Sequence, residues 1–229
     1  MRTSYRWKSK PGNFDTVNAL RFFESDNEYG IPTLNREDFV PEWLIPVKKR
    51  VQYKEQDLSK GAVHFFVDDY HFEVVWNRPT QLLKTVTDCG SALSPDFSLY
   101  VGDPPAVQIW NTYRSRWVGR YWQSRGIRVI PSITWSDEQS YKYCFLGVPK
   151  GSTVAISTVG VNRGKEVRER FCSGFEEMLK VIEPELVLVY GEVAPMDIDS
   201  MVKTKWFPSY WKTMRDIVTK KKQGLTDLD

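Results

Sequence analysis

Histidine is scarce in this sequence: among 229 residues only His64 and His71 occur. Two imidazoles argue against a metal centre built from several histidines. Cysteine is sparse too. Cys89, Cys144 and Cys172 are odd in number and widely spaced, and they lack the close pairing of zinc or redox motifs. They read as three buried, reduced thiols of a cytoplasmic protein. No apolar run is longer than a short strand, so no segment reads as a membrane span. The opening Met1-Arg2-Thr3-Ser4-Tyr5-Arg6-Trp7 has no apolar stretch behind its charges and does not read as a secretory signal. The G-x-S-x-G elbow, the GxxxxGK[ST] loop and the GxGxxG fingerprint are all missing. Their absence argues against an esterase triad, a nucleoside-triphosphatase loop and a dinucleotide fold.

What is present is enough for one sizeable core. The chain is 41% hydrophobic, with a formal net charge of only +3, too small by itself to imply a nucleic-acid partner. Three stretches differ in texture. Residues 1–60 are irregular and proline-broken, with Pro11, Pro32, Pro41 and Pro46, and are expected to form an extended N-terminal wrap with one or two short helices. Residues 61–195 alternate between strand and helix patterns. Residues 196–229 are expected to carry a basic, aromatic C-terminal helix.

The alternation is specific. Val63 to Val67 is a short apolar run of the kind covered on both faces of a sheet. A helix is expected over Arg78 to Asp88, and a second strand at Ala92-Leu93-Ser94. Pro104 to Arg125 reads as a long helix, with prolines at its first turn and Gly126 stopping it. Strands at Arg128 to Ile133, Thr153 to Ser157 and Glu185 to Tyr190 follow. They are separated by a short helix after Asp137 and a longer one over Lys165 to Ile182. Strand–helix repeats predict an α/β fold with a parallel sheet, open or curled into a partial, TIM-like barrel.

In such folds the carboxyl ends of the strands line the ligand crevice. Here those ends are polar or aromatic: Asp68-Asp69-Tyr70, Asp96-Phe97-Ser98, Thr134-Trp135-Ser136-Asp137-Glu138, Ser157-Thr158-Val159-Gly160 and Tyr190-Gly191-Glu192. Parallel strands lie about 4.8 Å apart, so an aspartate of the first end and Asp96 could face one cavity roughly 5–8 Å across. Two such carboxylates suit acid–base, nucleophilic or metal chemistry. Helix capping is the alternative. It is favoured for Asp137 and weaker for Asp96. Strand neighbours alternate, so of Asp68 and Asp69 one is expected to point inward.

Ser157 to Gly160, followed by Lys165, is a loop able to offer N–H groups to phosphate. On the long helix Gln108, Asn111 and Arg114 share one side. They either orient a carboxylate or base from beneath or form a solvated stripe opposite Val107, Trp110 and Val118. Lys203, Lys205, Trp206, Trp211 and Arg215 belong to a segment with seven Lys or Arg between Lys203 and Lys222 and one acid, Asp216. Basic residues interleaved with aromatics can grip a nucleic acid. A docked helix with solvated lysines is the alternative. His64 reads as structural.

Six segments together resemble a prokaryotic and phage family known as a domain of unknown function. They are His64-Phe65-Phe66-Val67-Asp68-Asp69-Tyr70, Leu93 to Tyr100, Gln108-Ile109-Trp110-Asn111, Val129-Ile130-Pro131, Trp135 to Tyr141 and Ile156 to Gly160. The likeness covers about residues 28–192. It implies a phage or mobile-element setting and brings no reaction with it. The order of Asp68, Asp96, Trp135 and Gly160 is also similar to that in the tRNA-guanine and phage DNA 7-deazaguanine transglycosylase barrels. This chain departs from them in lacking a clear eighth strand and the glycine pair after the first aspartate. The leading reading is an enzyme acting on a nucleotide or nucleic acid, in its concrete version base exchange at a glycosidic bond, with Asp68 or Asp69 as general base or nucleophile and Asp96 either binding the base or acting as partner acid. Trp135 would stack on the ring, with Ser98, Gln108, Asn111, Arg114, Ser157, Gly160 and Tyr190 around the substrate. Two other readings stand beside it. One is a metal-dependent phosphodiesterase using Asp68, Asp69, Asp96 and Glu138; the other is a protein that binds nucleic acid or a host partner through residues 203–222. The sequence names no cofactor.

Overall fold

In the computed structural model the described residues are 18, 21–48 and 57–222. The sequence expectations for residues 1–17, 19–20, 49–56 and 223–229 lie outside them. Seven parallel strands follow one another: β1 (Trp43–Pro46), β2 (Gly61–His64), β3 (Ser91–Leu93), β4 (Arg128–Ile130), β5 (Thr153–Ser157), β6 (Leu186–Tyr190) and β7 (Thr204–Phe207). The pairing order is the chain order, β1-β2-β3-β4 and β5-β6-β7. A single parallel bridge, Ser132 with Ala155, joins the two sheets. Between the outer strands, the Lys205 Nζ donates to the Pro41 carbonyl over 2.6 Å. This is a mixed α/β fold with a curled parallel sheet, and no closed barrel forms among the described residues.

Side chains alternate as a pleated strand requires. One set, including Leu44, Ala62, Leu93, Ile130, Ala155, Leu188 and Phe207, supplies at least one residue per strand to a shared inner cluster. The opposite set faces helices. Ile45, Val63, Ala92 and Val129 pack with Trp117, Tyr121 and Trp122 of the long helix. Val154, Ile156, Val187 and Val189 pack with Phe171, Phe175 and Met178. Both faces are covered, which explains why the strands read as continuous apolar runs.

The helices are α1 (Val74–Asn77), α2 (Leu83–Cys89), α3 (Pro105–Gln123), α4 (Tyr141–Cys144), α5 (Lys165–Ile182) and α6 (Tyr210–Lys222). α5 has the expected bounds, and Gly126 at φ 79° follows α3. Three expectations need correction. The described residues form seven parallel strands in two bridged sheets, not five, and the strands run beyond the 61–195 span on both sides. β1 falls within the expected N-terminal wrap and β7 within the expected C-terminal helical segment. The expected helix over Arg78 to Asp88 is broken: α1 ends at Asn77, and α2 begins only at Leu83, beyond Pro79. Residues 21–42 form neither helix nor strand. They are held by Leu34 N–H to the Gly147 carbonyl (2.9 Å) and by a two-bond exchange between Asn35 and Gln123.

Candidate functional site

Four strand ends converge at the carboxyl side of β2–β5. After β2 the chain enters a short 3-10 turn, Asp69–His71. Asp68 is exposed, with no side-chain capping bond. Asp69 turns the other way, and its carboxylate accepts Ser98 N–H (3.0 Å) and Ser98 Oγ–H (2.9 Å). Of the aspartate pair, then, one points inward and one away.

Ser98 is the first link of a buried lattice. Its carbonyl accepts from Asn111 Nδ2 (2.7 Å), Asn111 Oδ1 accepts from Arg114 (2.6 Å), and Arg114 pairs with Glu73 (2.5 Å). The Arg114 guanidinium also lies 3.9 Å over the Phe97 ring. Gln108 donates to the Asp103 carbonyl and accepts from Ser136 Oγ (2.6 Å). The polar stripe of α3 is therefore buried, while Val107 and Trp110 are the exposed side. Gln108, Asn111 and Arg114 fasten the strand-end loops from beneath, and Ser98 orients the Asp69 carboxylate.

Asp96 follows β3 and sits at the floor of a cleft of about 370 Å³. Thr134, Trp135 and Ser136 after β4, Ser157 ending β5, and Arg170 and Phe171 of α5 complete the wall, with Tyr100 at its edge. One Asp96 oxygen reaches the cleft. The other, Oδ1, is enclosed and has no hydrogen-bond partner among the described residues. Burial first, and the nearby Asp69 charge second, push the carboxyl up to about 7, against the opposing pull of Arg116. A carboxyl tuned there can both give and take a proton at neutral pH.

Arg116, on α3, is almost wholly buried. Its guanidinium donates to the carbonyls of Leu146, Ser132 and Cys144, each at 3.0 Å, and to Ser115 Oγ at 3.3 Å. It therefore ties the β4 end, whose next residues Thr134 to Ser136 line the cleft, to the end of α4. Burial lowers its pKa to about 10, which leaves it charged. Burial also raises the Cys144 thiol to about 12, so that sulfur is chemically quiet.

Trp135 is fixed by its indole N–H, which donates to the Arg170 carbonyl over 3.1 Å. Its ring packs at 5.5 Å from Phe171. The close approach needs Gly174, where an added Cβ would lie 2.1 Å from the indole nitrogen. Asp137 caps the following turn by accepting Gln139 N–H, as the sequence favoured. Glu138 is exposed.

The remaining expected residues are dispersed. Gly160, at φ +84°, sits beside Arg163, and neither it nor the exposed Lys165 lines the cleft. Tyr190 is turned into the inner cluster shared by the strands, 4.5 Å from His64, and its hydroxyl accepts Tyr210 N–H. Lys205 and Trp206 are built into β7, with Trp206 Nε1 donating to Asp199. Lys203, Trp211 and Arg215 are exposed, far along the chain from the cleft residues. Among the described residues no group of three or more His, Cys, Asp or Glu is placed to hold a metal ion. No described helix is long and apolar enough to cross a membrane. Sequence reasoning missed Arg170, Tyr100 and Phe171. The visible signal was helical spacing: Arg170 and Phe171 lie three and four positions after Val167, on the inward side of α5.

Comparison with known proteins agrees with the motif resemblance. Residues 23–208 match the family described as "Domain of unknown function (DUF4417)". The chain is 43% identical over 218 residues to the Gene 1 protein of Mycobacterium phage L5, covering 95% of each. It is 41% identical over 218 residues to the Gene 1 protein of Mycobacterium phage D29, covering 95% of this chain and 81% of that protein. No solved structure matches it significantly.

Proposed function

This chain belongs to the DUF4417 family and has phage homologues, and from that premise we propose that it is an enzyme performing acid–base chemistry on a nucleobase-sized ring, with Asp96 carrying the proton. The observation that bears the proposal is the Asp96 carboxyl: half-open to the cleft, pushed up to about 7, and set among Trp135, Tyr100 and Phe171. Aromatic walls suit a planar ring, and a carboxyl of this kind suits its ring nitrogens.

The concrete reaction is base exchange at a glycosidic bond. As the C1′–N bond breaks, its electron pair stays with the departing base, which takes the proton of Asp96. As the incoming base forms the new C1′–N bond, its N–H proton passes to the Asp96 carboxylate. The proton ledger closes without a co-reactant. Asp69, held by Ser98, acts through its charge, keeping Asp96 protonated until the ring accepts the proton.

The test is isotope-labelled base exchange into nucleosides and short oligonucleotides, with binding of free bases measured in parallel. Wild type should bind a base and exchange it with a pH dependence centred near 7. Asp96→Asn should lower exchange by roughly 10²–10⁴-fold, the usual contribution of a positioned acid–base group. Undiminished binding and exchange in a folded Asp96→Asn protein would overturn the assignment. So would the absence of binding by every base and nucleoside.

A further inference from the structure

We infer that the ligand of this cleft is a nucleoside bearing phosphate, and that Arg170 is the phosphate anchor. The inference rests on the ring-binding reading above and adds the charged half of the substrate.

Among the described residues that line the cleft, Arg170 is the only cation and Asp96 the only acid. The wall therefore has two poles, which calls for a ligand with an anionic group at one end and a proton-accepting ring at the other. Arg170 is incompletely used by the protein. Its ion pair with Glu166 is 3.7 Å long, and the Glu166 side chain is 87% exposed, so solvent screens that contact. No hydrogen bond to the Arg170 guanidinium is made by a described residue. The planar fork is left with donors matched to two phosphate oxygens.

Two further contacts fix the geometry. The backbone carbonyl of Arg170 holds the Trp135 indole N–H, so the same helical residue sets both the cation and the ring beside it. Ser157 lines the same cleft, and its oxygen accepts Val159 N–H over 3.2 Å, leaving its own O–H to donate. A cleft of about 370 Å³ falls in the range of small-molecule sites.

The phosphate could belong to a free nucleotide or to a nucleic-acid strand, and the experiment separates these. Binding of a nucleoside, its 5′-monophosphate and a dinucleoside phosphodiester is compared in wild type and Arg170→Gln, which keeps the carbonyl that holds Trp135. In wild type, at least one phosphate-bearing ligand should bind roughly ten- to a hundredfold more tightly than the nucleoside, as a charge-assisted contact provides. Preference for the monophosphate identifies a free nucleotide; preference for the diester identifies a strand. In Arg170→Gln the gain should vanish, the phosphate-bearing ligand losing roughly ten- to a hundredfold more affinity than the nucleoside.

Equal wild-type affinity for all three overturns the anchor while leaving the ring site intact. Equal loss of nucleoside and phosphate ligands in the folded variant also overturns it, since Arg170 would then act through Trp135. Binding of none of them overturns the anchor and the ring site together. A wild type with no gain from phosphate overturns the anchor even if the variant does not fold.

Discussion

The interior between the curled sheets and the cleft at the strand ends each bury a titratable side chain, and they treat it differently. His64 is enclosed in the interior, between the rings of Tyr190 (4.5 Å) and Phe66 (5.7 Å). Its Nδ1 accepts Phe66 N–H, which places the proton on Nε2, and that nitrogen has no partner among the described residues. Burial alone pushes its pKa down to about 3. Asp96 is pushed in the opposite sense, up to about 7. In both cases burial favours the uncharged form, because a buried charge without a partner is costly. The difference is access. His64 is fully enclosed by its neighbours and lines neither the cleft nor its mouth, so its neutrality is structural. Asp96 opens onto a cleft, so its proton can be exchanged with something bound there. A shifted pKa thus marks burial in one region and usable chemistry in the other, and geometry separates them.

The largest test of this contrast is a buried group that stays charged. Arg116 escapes neutralisation because three carbonyls and a hydroxyl occupy its fork. Arg116→Met would leave those acceptors buried and unpaired, and about 3–5 kcal/mol of stability should be lost in urea unfolding. A smaller loss, below about 1 kcal/mol, would mean that the lattice tying the β4 end to α4 is not what holds those two segments together.

How much of this was legible in the sequence depends on where polar residues sit. α5 was legible to the residue, because Phe171, Phe175, Met178 and Ile182 repeat at helical spacing. The strand ends were legible too, and Asp96, Trp135 and Ser157 do share one cleft. β7 was hidden by Lys205, a charge at an inward position. Its ammonium lies 5.3 Å over Phe207 and donates to Pro41, so it behaves as a buried polar link. β1 was hidden by its brevity and by Pro46, which ends it. The stripe Gln108, Asn111 and Arg114 looks like a solvated helix face, and hydrogen bonding to loops distant in the chain is what makes burial possible. Arg116 was missed for the same reason: a lone arginine on a helix reads as surface unless its partners are known.

The next effect in size belongs to the interior. An imidazole whose folded pKa is about 3 against an ordinary 6.5 favours the fold fully above pH 6.5 and loses that contribution as pH falls toward 3. The limiting slope is about 1.4 kcal/mol per pH unit. His64→Leu should remove it. Denaturation midpoints measured from about pH 4 to pH 6.5 should then fall less steeply on the acid side than in wild type, or reverse their trend. An unchanged acid limb would show that His64 is hydrated in solution and that the interior is not the dry compartment its ring contacts describe.

The smallest expected effect gives the sharpest comparison, because Asp96 opposes His64 over a shared range. The Asp96 carboxyl has its ordinary value at 3.8 when unfolded and is raised to about 7 in the fold. Its neutral form stabilises the fold fully below 3.8, and that contribution is lost as pH rises through about 7. Between 3.8 and 6.5 the two groups therefore act with opposite sign and partly cancel in wild type. Asp96→Asn removes the alkaline-going loss. The cleft exposes part of the carboxyl, which discounts the effect, so the variant should be more stable than wild type by only about 1–2 kcal/mol above neutrality. The gap should close toward pH 4. Other carboxylates titrate in acid as well, Asp57 and Asp199 among those held low by hydrogen bonds. They are common to both proteins, so the difference between the curves isolates Asp96. A substitution that stabilises the fold while abolishing base exchange would show strain retained for chemistry. A variant less stable than wild type at every pH would instead show the charged carboxylate to be a structural partner, and the cleft would then resemble the interior.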